Sequence, residues 1–395
     1  MRGKMRHYNL KKIPLLLASL GIFAGIHAQN QVDDKIPADC SNLCSGTPNF
    51  ECANDFDFLA AAIYEQIRVQ GGEIGFLTYS RDQALYPVNG YGIYQPEYFS
   101  WGFKVGAGYS GWSDGWRTAI KYSYFSAISD LPIQTAYGSA IVPAAYANNF
   151  VSDYSQQYYT SFGNVQAGNK TTINDLKFML GRPTHITDLI SIDTYYAVEA
   201  TMIMRRQVQV FTNDIAFGPN SVPVWTNAVA TVNQQRFASA SGGFYQNYQK
   251  YTWWGVGPAL GVHGEYDIGK GVGVYGDVTG SLKYGQISTR VSTVASPKTR
   301  LINPGVAGQV LDTPGLEAVT NSMMYQFSPG CEGELGIYWS YSFDEEKVRA
   351  SFQIAYESAF YFMVMRTIVN EIPTRTENGA GLGVQGLVLQ GMLEF

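Results

Sequence analysis

The closing stretch, residues 379–395 (GAGLGVQGLVLQGMLEF), restricts the fold more than any other part of the chain. Leu387, Leu389, Gly391, Leu393 and Phe395 fall on one side of a two-residue period, and Gly386, Val388, Gln390, Met392 and Glu394 fall on the other. That period is the signature of a strand. The last residues of a soluble domain are normally free to fray. A final strand that stops at an aromatic residue is how an outer-membrane barrel closes, with the terminal ring at the membrane interface. An edge strand of an ordinary sheet that happens to stop at Phe395 is the alternative.

The same alternation recurs upstream. Phe99, Trp101, Phe103, Val105, Ala107 and Tyr109 alternate with Ser100, Gly102, Lys104, Gly106 and Gly108. After a polar turn at 110–115, Trp116, Thr118, Ile120, Tyr122 and Tyr124 alternate with Arg117, Ala119, Lys121 and Ser123. Such hairpins set one face against hydrocarbon and the other against a polar interior. A soluble β-sandwich would alternate too, but aromatics at the ends of the apolar face fit membrane girdles. Composition agrees. Charged residues are 15% of the chain, against roughly 25% in soluble proteins. There are 28 Tyr and 42 Gly, and no stretch after residue 28 is long and apolar enough for a membrane helix. The net charge of −5, with no basic cluster beyond the N-terminus, leaves no footprint for nucleic acid.

Residues 1–28 read as a signal peptide. Arg2, Lys4, Arg6, Lys11 and Lys12 precede a short apolar core, and Ile26-His27-Ala28 offers a cleavage site. Residues 29–53 read as a periplasmic segment holding Cys40, Cys44 and Cys52. With Cys331 these make an even count in a compartment that permits disulfides. One bridge is expected inside the N-terminal cluster, while Cys331 is left to a remaining cysteine or to another chain. The cysteine spacing does not suit zinc, and no metal or other cofactor is expected.

Residues 54–395 read as one antiparallel transmembrane β-barrel, an all-β fold. Ten strands are visible, near 55–69, 98–109, 116–124, 171–182, 186–210, 251–266, 271–284, 332–343, 347–362 and 379–395. Tight turns, one of them containing Pro183, alternate with long stretches at 71–97, 129–170, 211–249 and 288–328 and a loop at 366–378. This is the pattern of short periplasmic turns and long extracellular loops. Strand character is expected near Ile74, and the long stretches have room for further hairpins, with 150–162 a candidate, so the count ranges from 10 to 16.

Several segments are familiar together: 54–59 (NDFDFL), 103–109 (FKVGAGY), 114–116 (DGW), 175–182 (DLKFMLGR), 254–258 (WGVGP), 275–280 (YGDVTG) and 383–387 (GVQGL). In order and spacing they resemble the Legionella-type major outer membrane protein family, the MOMP-like porins of chlamydia-like bacteria. The resemblance implies a bacterial outer-membrane barrel of porin type, abundant and often oligomeric, with outer-membrane lipid and small hydrophilic solutes as its partners. Disulfide-linked outer-membrane proteins are further partners it allows. It supplies no catalytic residues.

If the apolar faces meet lipid, the opposite faces point inward. That places Lys104, Arg117, Lys121, Asp175, Lys177, Asp277, Lys283, Glu332, Glu334, Arg349 and Glu357 as pore-lining candidates, together with Asp57, Glu65, Asp193, Glu199, Arg205 and Glu265. Such charges bias ion passage in a water-filled pore, and a slight acidic excess points to weak cation preference. Pairing across the lumen is the alternative role. Barrels of about eight strands are filled by side chains, whereas 16–18 leave a channel. A ten-strand count therefore keeps a surface adhesin or structural barrel in view beside passive diffusion. Enzyme chemistry is not expected: His185 and His263 are the only histidines past residue 28, and neither lies near a nucleophile motif.

Overall fold

The computed structural model describes residues 56–78, 90–110, 116–135, 140–143, 160–161, 163–187, 189–212, 236–239, 244–295, 299–302, 310–312, 316–343, 348–370 and 375–395. The segments expected to be a signal peptide and a periplasmic cysteine region lie outside these residues. Among them, ten strands close into one antiparallel barrel. They are β1 (Phe56–Val69), β2 (Phe99–Tyr109), β3 (Arg117–Thr135), β4 (Asn164–Thr187), β5 (Ile190–Thr212), β6 (Phe244–Gly269), β7 (Val272–Ala295), β8 (Leu316–Phe343), β9 (Val348–Asn370) and β10 (Arg375–Glu394). Each strand pairs with its neighbours in sequence, and β10 returns to β1. All ten expected strands are present. Among the described residues no helix is long and apolar enough to cross a membrane; the crossing is made by strands.

Closure depends on the end of the chain. Phe395 N–H donates to Phe56 O at 2.9 Å and Phe56 N–H donates to Phe395 O at 3.3 Å. The Phe395 ring sits edge-on to Phe58, with centroids 5.8 Å apart. No unpaired strand edge remains at this seam, which is what barrel closure achieves.

Alternation places every second residue outside. On β1, Phe56, Phe58, Ala60, Ala62 and Tyr64 face out while Asp57, Leu59, Ala61, Ile63 and Glu65 are buried. The outer surface carries an apolar belt that includes Val105, Leu176, Leu260, Val278, Leu335 and Leu387. Aromatic residues bound it. Phe58, Tyr266, Trp339, Tyr341 and Phe395 lie toward the short turns, and Tyr64, Trp101, Trp254, Tyr284, Tyr325 and Phe327 lie toward the long connections. Rings of this kind sit at the two membrane interfaces.

The strands run further than their alternation alone suggests. β4 begins at Asn164, β7 continues to Ala295, β8 begins at Leu316, and β9 and β10 pair across the expected 366–378 loop, from Met365↔Ala380 to Asn370↔Arg375. The expected Pro183 turn is also corrected. β4 passes through Pro183, which pairs with Asp193 of β5. On its other side, β4's pairing with β3 ends at Arg117↔Gly181, so the proline stands at a local edge where its missing N–H leaves no ladder bond unmade. The turn joining β6 and β7 is Lys270–Gly271, with φ of 58° and 74°. A Cβ at Gly271 would lie 2.3 Å from Ser340 O, so both space and dihedral call for glycine there.

Two small sheets stand at the long-connection end. One orders Gly90–Tyr94, Glu73–Thr78 and Ala140–Pro143; the other orders Val310–Asp312, Thr299–Ile302, Arg236–Ser239 and Thr160–Ser161. The strand expected near Ile74 is thus found. Of the candidate hairpin at 150–162, only Thr160–Ser161 is described, and it belongs to the second small sheet rather than to the barrel. Ile74 and Ile141, both fully buried, pack with Leu131, Val165, Phe211 and Tyr245. The first small sheet therefore caps the barrel interior at that end.

Candidate functional site: the barrel interior

All eleven pore-lining candidates lie on inward-facing positions of the barrel. The reason is local: once Trp101, Phe103 and Val105 face out, the pleat sends Lys104 inward. Toward the short-turn end the interior holds a cavity of ≈ 190 Å³. Its walls carry Asp57, Asp175, Asp193, Glu265, Asp277, Glu332, Glu334 and Glu357 against Lys104, Arg117, Lys121 and Lys177. Carboxylates thus outnumber lysines and arginines eight to four.

Most of these charges are paired. Lys104 Nζ donates to Glu357 Oε2 and lies 3.9 Å from Glu334 Oε2. Lys177 donates to Glu332. Arg117 Nη2 reaches Asp57 Oδ2 at 3.0 Å. Arg349 Nη2 donates to Ser340 Oγ at 3.1 Å and its Nη1 lies 3.8 Å from Glu394. Tyr275 O–H donates to Glu334 at 2.5 Å, and Tyr195 O–H donates to Asp277 at 2.8 Å. His263 stands between Glu265 (3.0 Å) and Asp277 (3.5 Å). Lys121 makes no ion pair among the described residues, although it borders the cavity. Arg117 and Lys121, neighbours on one face of β3, therefore differ: Arg117 is neutralised by Asp57, and Lys121 is without an ion-pair partner among the described residues.

Lys283 differs from the other candidates. Neither it nor its partner Glu199 has any side-chain exposure, and Lys283 also donates to Thr201 Oγ1 at 3.0 Å. It is packed into the interior and does not line open space. Asp175, Glu199 and Glu332 bring carboxylate oxygens within 4.8 Å of one another. Lys177 and Lys283 lie against two of them, so the cluster carries its own counter-charge.

Above this charged layer the interior is not polar, contrary to expectation. Ile67, Phe125, Ile173, Ile203, Trp253, Ile287, Val364 and Leu382 are buried inward and belong to one packed cluster. Inward positions along β5 read Glu199, Thr201, Ile203, Arg205, Gln207 and Gln209, passing from charge to apolar and back to polar. The layer was hard to see in sequence because its members are flanked by apolar outward residues: Ile203 lies between Met202 and Met204, and Trp253 precedes Trp254. Alternation in polarity disappears where both faces are apolar. Trp253 has a further signal beside it, since a Cβ at Gly255 would come 2.6 Å from its ring.

Cys331 is free and exposed. It lies on the outer face of β8 between Phe327 and Leu335, paired in register with Gly280 and Phe360. It is bonded to no other cysteine of this chain, and a thiol within the apolar belt meets hydrocarbon, away from the aqueous phases where disulfide exchange proceeds through thiolate. Cys40, Cys44 and Cys52 lie outside the described residues.

A closed antiparallel barrel with an apolar outer belt, two aromatic boundaries and a charged interior defines a bacterial outer-membrane β-barrel protein. The model of a family described as the Legionella pneumophila major outer membrane protein precursor matches residues 49–395, and the chain belongs to that family. None of the curated proteins matches it. Solved structures similar to it include the outer membrane protease OmpT of Escherichia coli, with 8% identity, coverage of 87% of this chain and 97% of that one, and a TM-score of 0.32. The toluene transporter TodX of Pseudomonas putida is 10% identical, with 87% and 89% covered and a TM-score of 0.27. A FadL homologue of Pseudomonas aeruginosa is 8% identical, with 88% and 91% covered and a TM-score of 0.25. At these values the likeness says nothing of activity.

Proposed function

We propose that the protein is a narrow outer-membrane porin through which ions and small hydrophilic solutes pass, with a preference for cations. The observation that carries this reading is the charged cavity, in which eight carboxylates face four lysines and arginines. A net excess of fixed charge of one sign in a confined aqueous space favours the counter-ion. The apolar layer around Trp253 and Phe125 is the constriction of this pore; such rings gate by dewetting. A signal peptide at 1–28, a periplasmic segment at 29–53 with a disulfide among Cys40, Cys44 and Cys52, and assembly into homo-oligomers or disulfide-linked complexes belong to the same reading. Catalysis does not.

A second reading, a structural barrel or adhesin without an open pore, is favoured by two observations: the apolar layer is packed, and the small sheet covers the mouth. Planar-bilayer recording separates the two. The porin reading expects discrete cation-preferring steps that grow in Trp253→Ala and Phe125→Ala. A folded, heat-modifiable barrel that conducts neither as wild type nor as these variants overturns it in favour of the structural barrel.

A further inference from the structure

Lys170, Arg206, Lys250 and Arg290 stand directly opposite one another on four consecutive strands. The register pairs Lys170 with Arg206, Arg206 with Lys250, and Lys250 with Arg290. All four point outward, because their neighbours Thr171, Arg205, Tyr251 and Thr289 are buried inside. Lys170, Arg206 and Arg290 are exposed and Lys250 is half-buried. None makes an ion pair among the described residues. The acidic side chain nearest in register is Asp130, whose partner is Gly168, one diagonal step from Lys170.

Like charges directly opposite in a sheet repel, and a row of four needs an external anion. Its position says which. Two residues closer to the belt on the same face come Thr172, Met204, Thr252 and Ser288, in register with one another. Two further on come Trp254 and Tyr325 of the aromatic boundary, both paired with Gln286. Going outward along β6 and β7, the surface thus passes from Trp254 and Gln286 through Thr252 and Ser288 to Lys250 and Arg290, the order of a membrane interface. Lys250 lies four residues from Trp254, ~13 Å along the strand and less along the membrane normal, because the strands tilt by about 40°. Long lysine and arginine side chains cover the remaining distance by reaching back toward the lipid. The row spans three inter-strand steps of about 4.8 Å, or ~14 Å, enough to face more than one phosphate.

We infer that this row binds the phosphate groups of anionic lipid headgroups in the outer leaflet. It is an interaction surface on the outside of the wall and does not depend on whether the interior conducts.

The test uses the folded full-length chain in detergent, with lipid retention read by native mass spectrometry. The probes are phosphatidylglycerol against phosphatidylcholine, and a bisphosphorylated glycolipid against its dephosphorylated form. Wild type is expected to retain the phosphorylated lipids in preference. The variant K170Q/R206Q/K250Q/R290Q is expected to lose that preference, by ~fivefold per charge removed. Lys270→Gln, at a short turn on the opposite end, is expected to leave it unchanged, and K170R/K250R to keep it. Should the quadruple variant fail to give a heat-modifiable barrel, Arg206→Gln alone supplies the measurement. Retention that ignores phosphate, or that survives the substitutions, overturns the inference. So does displacement of the lipid by millimolar inorganic phosphate, which would mark a general anion site and not a lipid surface.

Discussion

At the scale of single residues, the interior is a set of opposite charges brought together from distant parts of the chain. Lys283 and Glu199 show what this means energetically. Both are without exposure and bonded to each other. Removing one member of a buried pair leaves an uncompensated charge and costs ~3–5 kcal/mol, whereas replacing both with apolar groups of similar volume is often neutral. Lys283→Met and Glu199→Leu are each expected to destabilise the barrel by about that amount, and the double variant to recover most of the loss. Urea unfolding followed by tryptophan fluorescence reads the cycle; additive losses would show that the two residues act independently.

At the scale of elements, the informative irregularity is in β9. Its pairing with β8 ends at Gly330↔Tyr361, and its register with β10 shifts between Tyr361 and Met365. The chain bulges there, with Met363 at φ 56°. The carbonyls that leave the ladder accept bonds from Gln326 Nε2, to Met363 O, and from Ser328 Oγ, to Phe362 O at 2.5 Å. A bulge re-aims side chains, and here it sends Val364 and Met365 together into the apolar layer. A non-glycine residue in the left-handed region costs ~1–2 kcal/mol. Met363→Gly is therefore expected to raise stability by ~1 kcal/mol, and Met363→Val to lower it, in thermal transitions followed by heat-modifiable mobility. The reverse order would mean that the Met363 side chain matters more than the dihedral.

At the scale of the whole molecule, the orientation of the wall in lipid makes Cys331 a probe. It lies along β8 between the two aromatic boundaries, with Tyr325 and Phe327 toward one end and Trp339 and Tyr341 toward the other. In native membranes Cys331 is expected to resist a charged maleimide and to react once the protein is denatured, as read by peptide mapping. Rapid labelling in intact membranes would place the belt elsewhere. The same wall closes around an interior with two regimes: a charged chamber near the short turns and an apolar layer beyond it. In the proposed porin, conduction is decided by the second, since the ion pairs of the first leave space for water.

Alternation along the chain determined the ten strands, their antiparallel order and which side of each faces lipid, because the two-residue pleat converts a local pattern of polarity directly into inside and outside. It therefore placed Lys104, Lys177, Glu332 and Glu357 in the interior. It could not say that Lys104 meets Glu357, or that Lys177 meets Glu332, since those contacts cross the lumen between strands far apart in sequence. Nor could it show the layer of Phe125, Ile203, Trp253 and Leu382, where both faces of the wall are apolar and the pattern carries no contrast. The row of Lys170, Arg206, Lys250 and Arg290 is invisible for a related reason: its members lie on four different strands, far apart in sequence, and only the register of those strands sets them side by side.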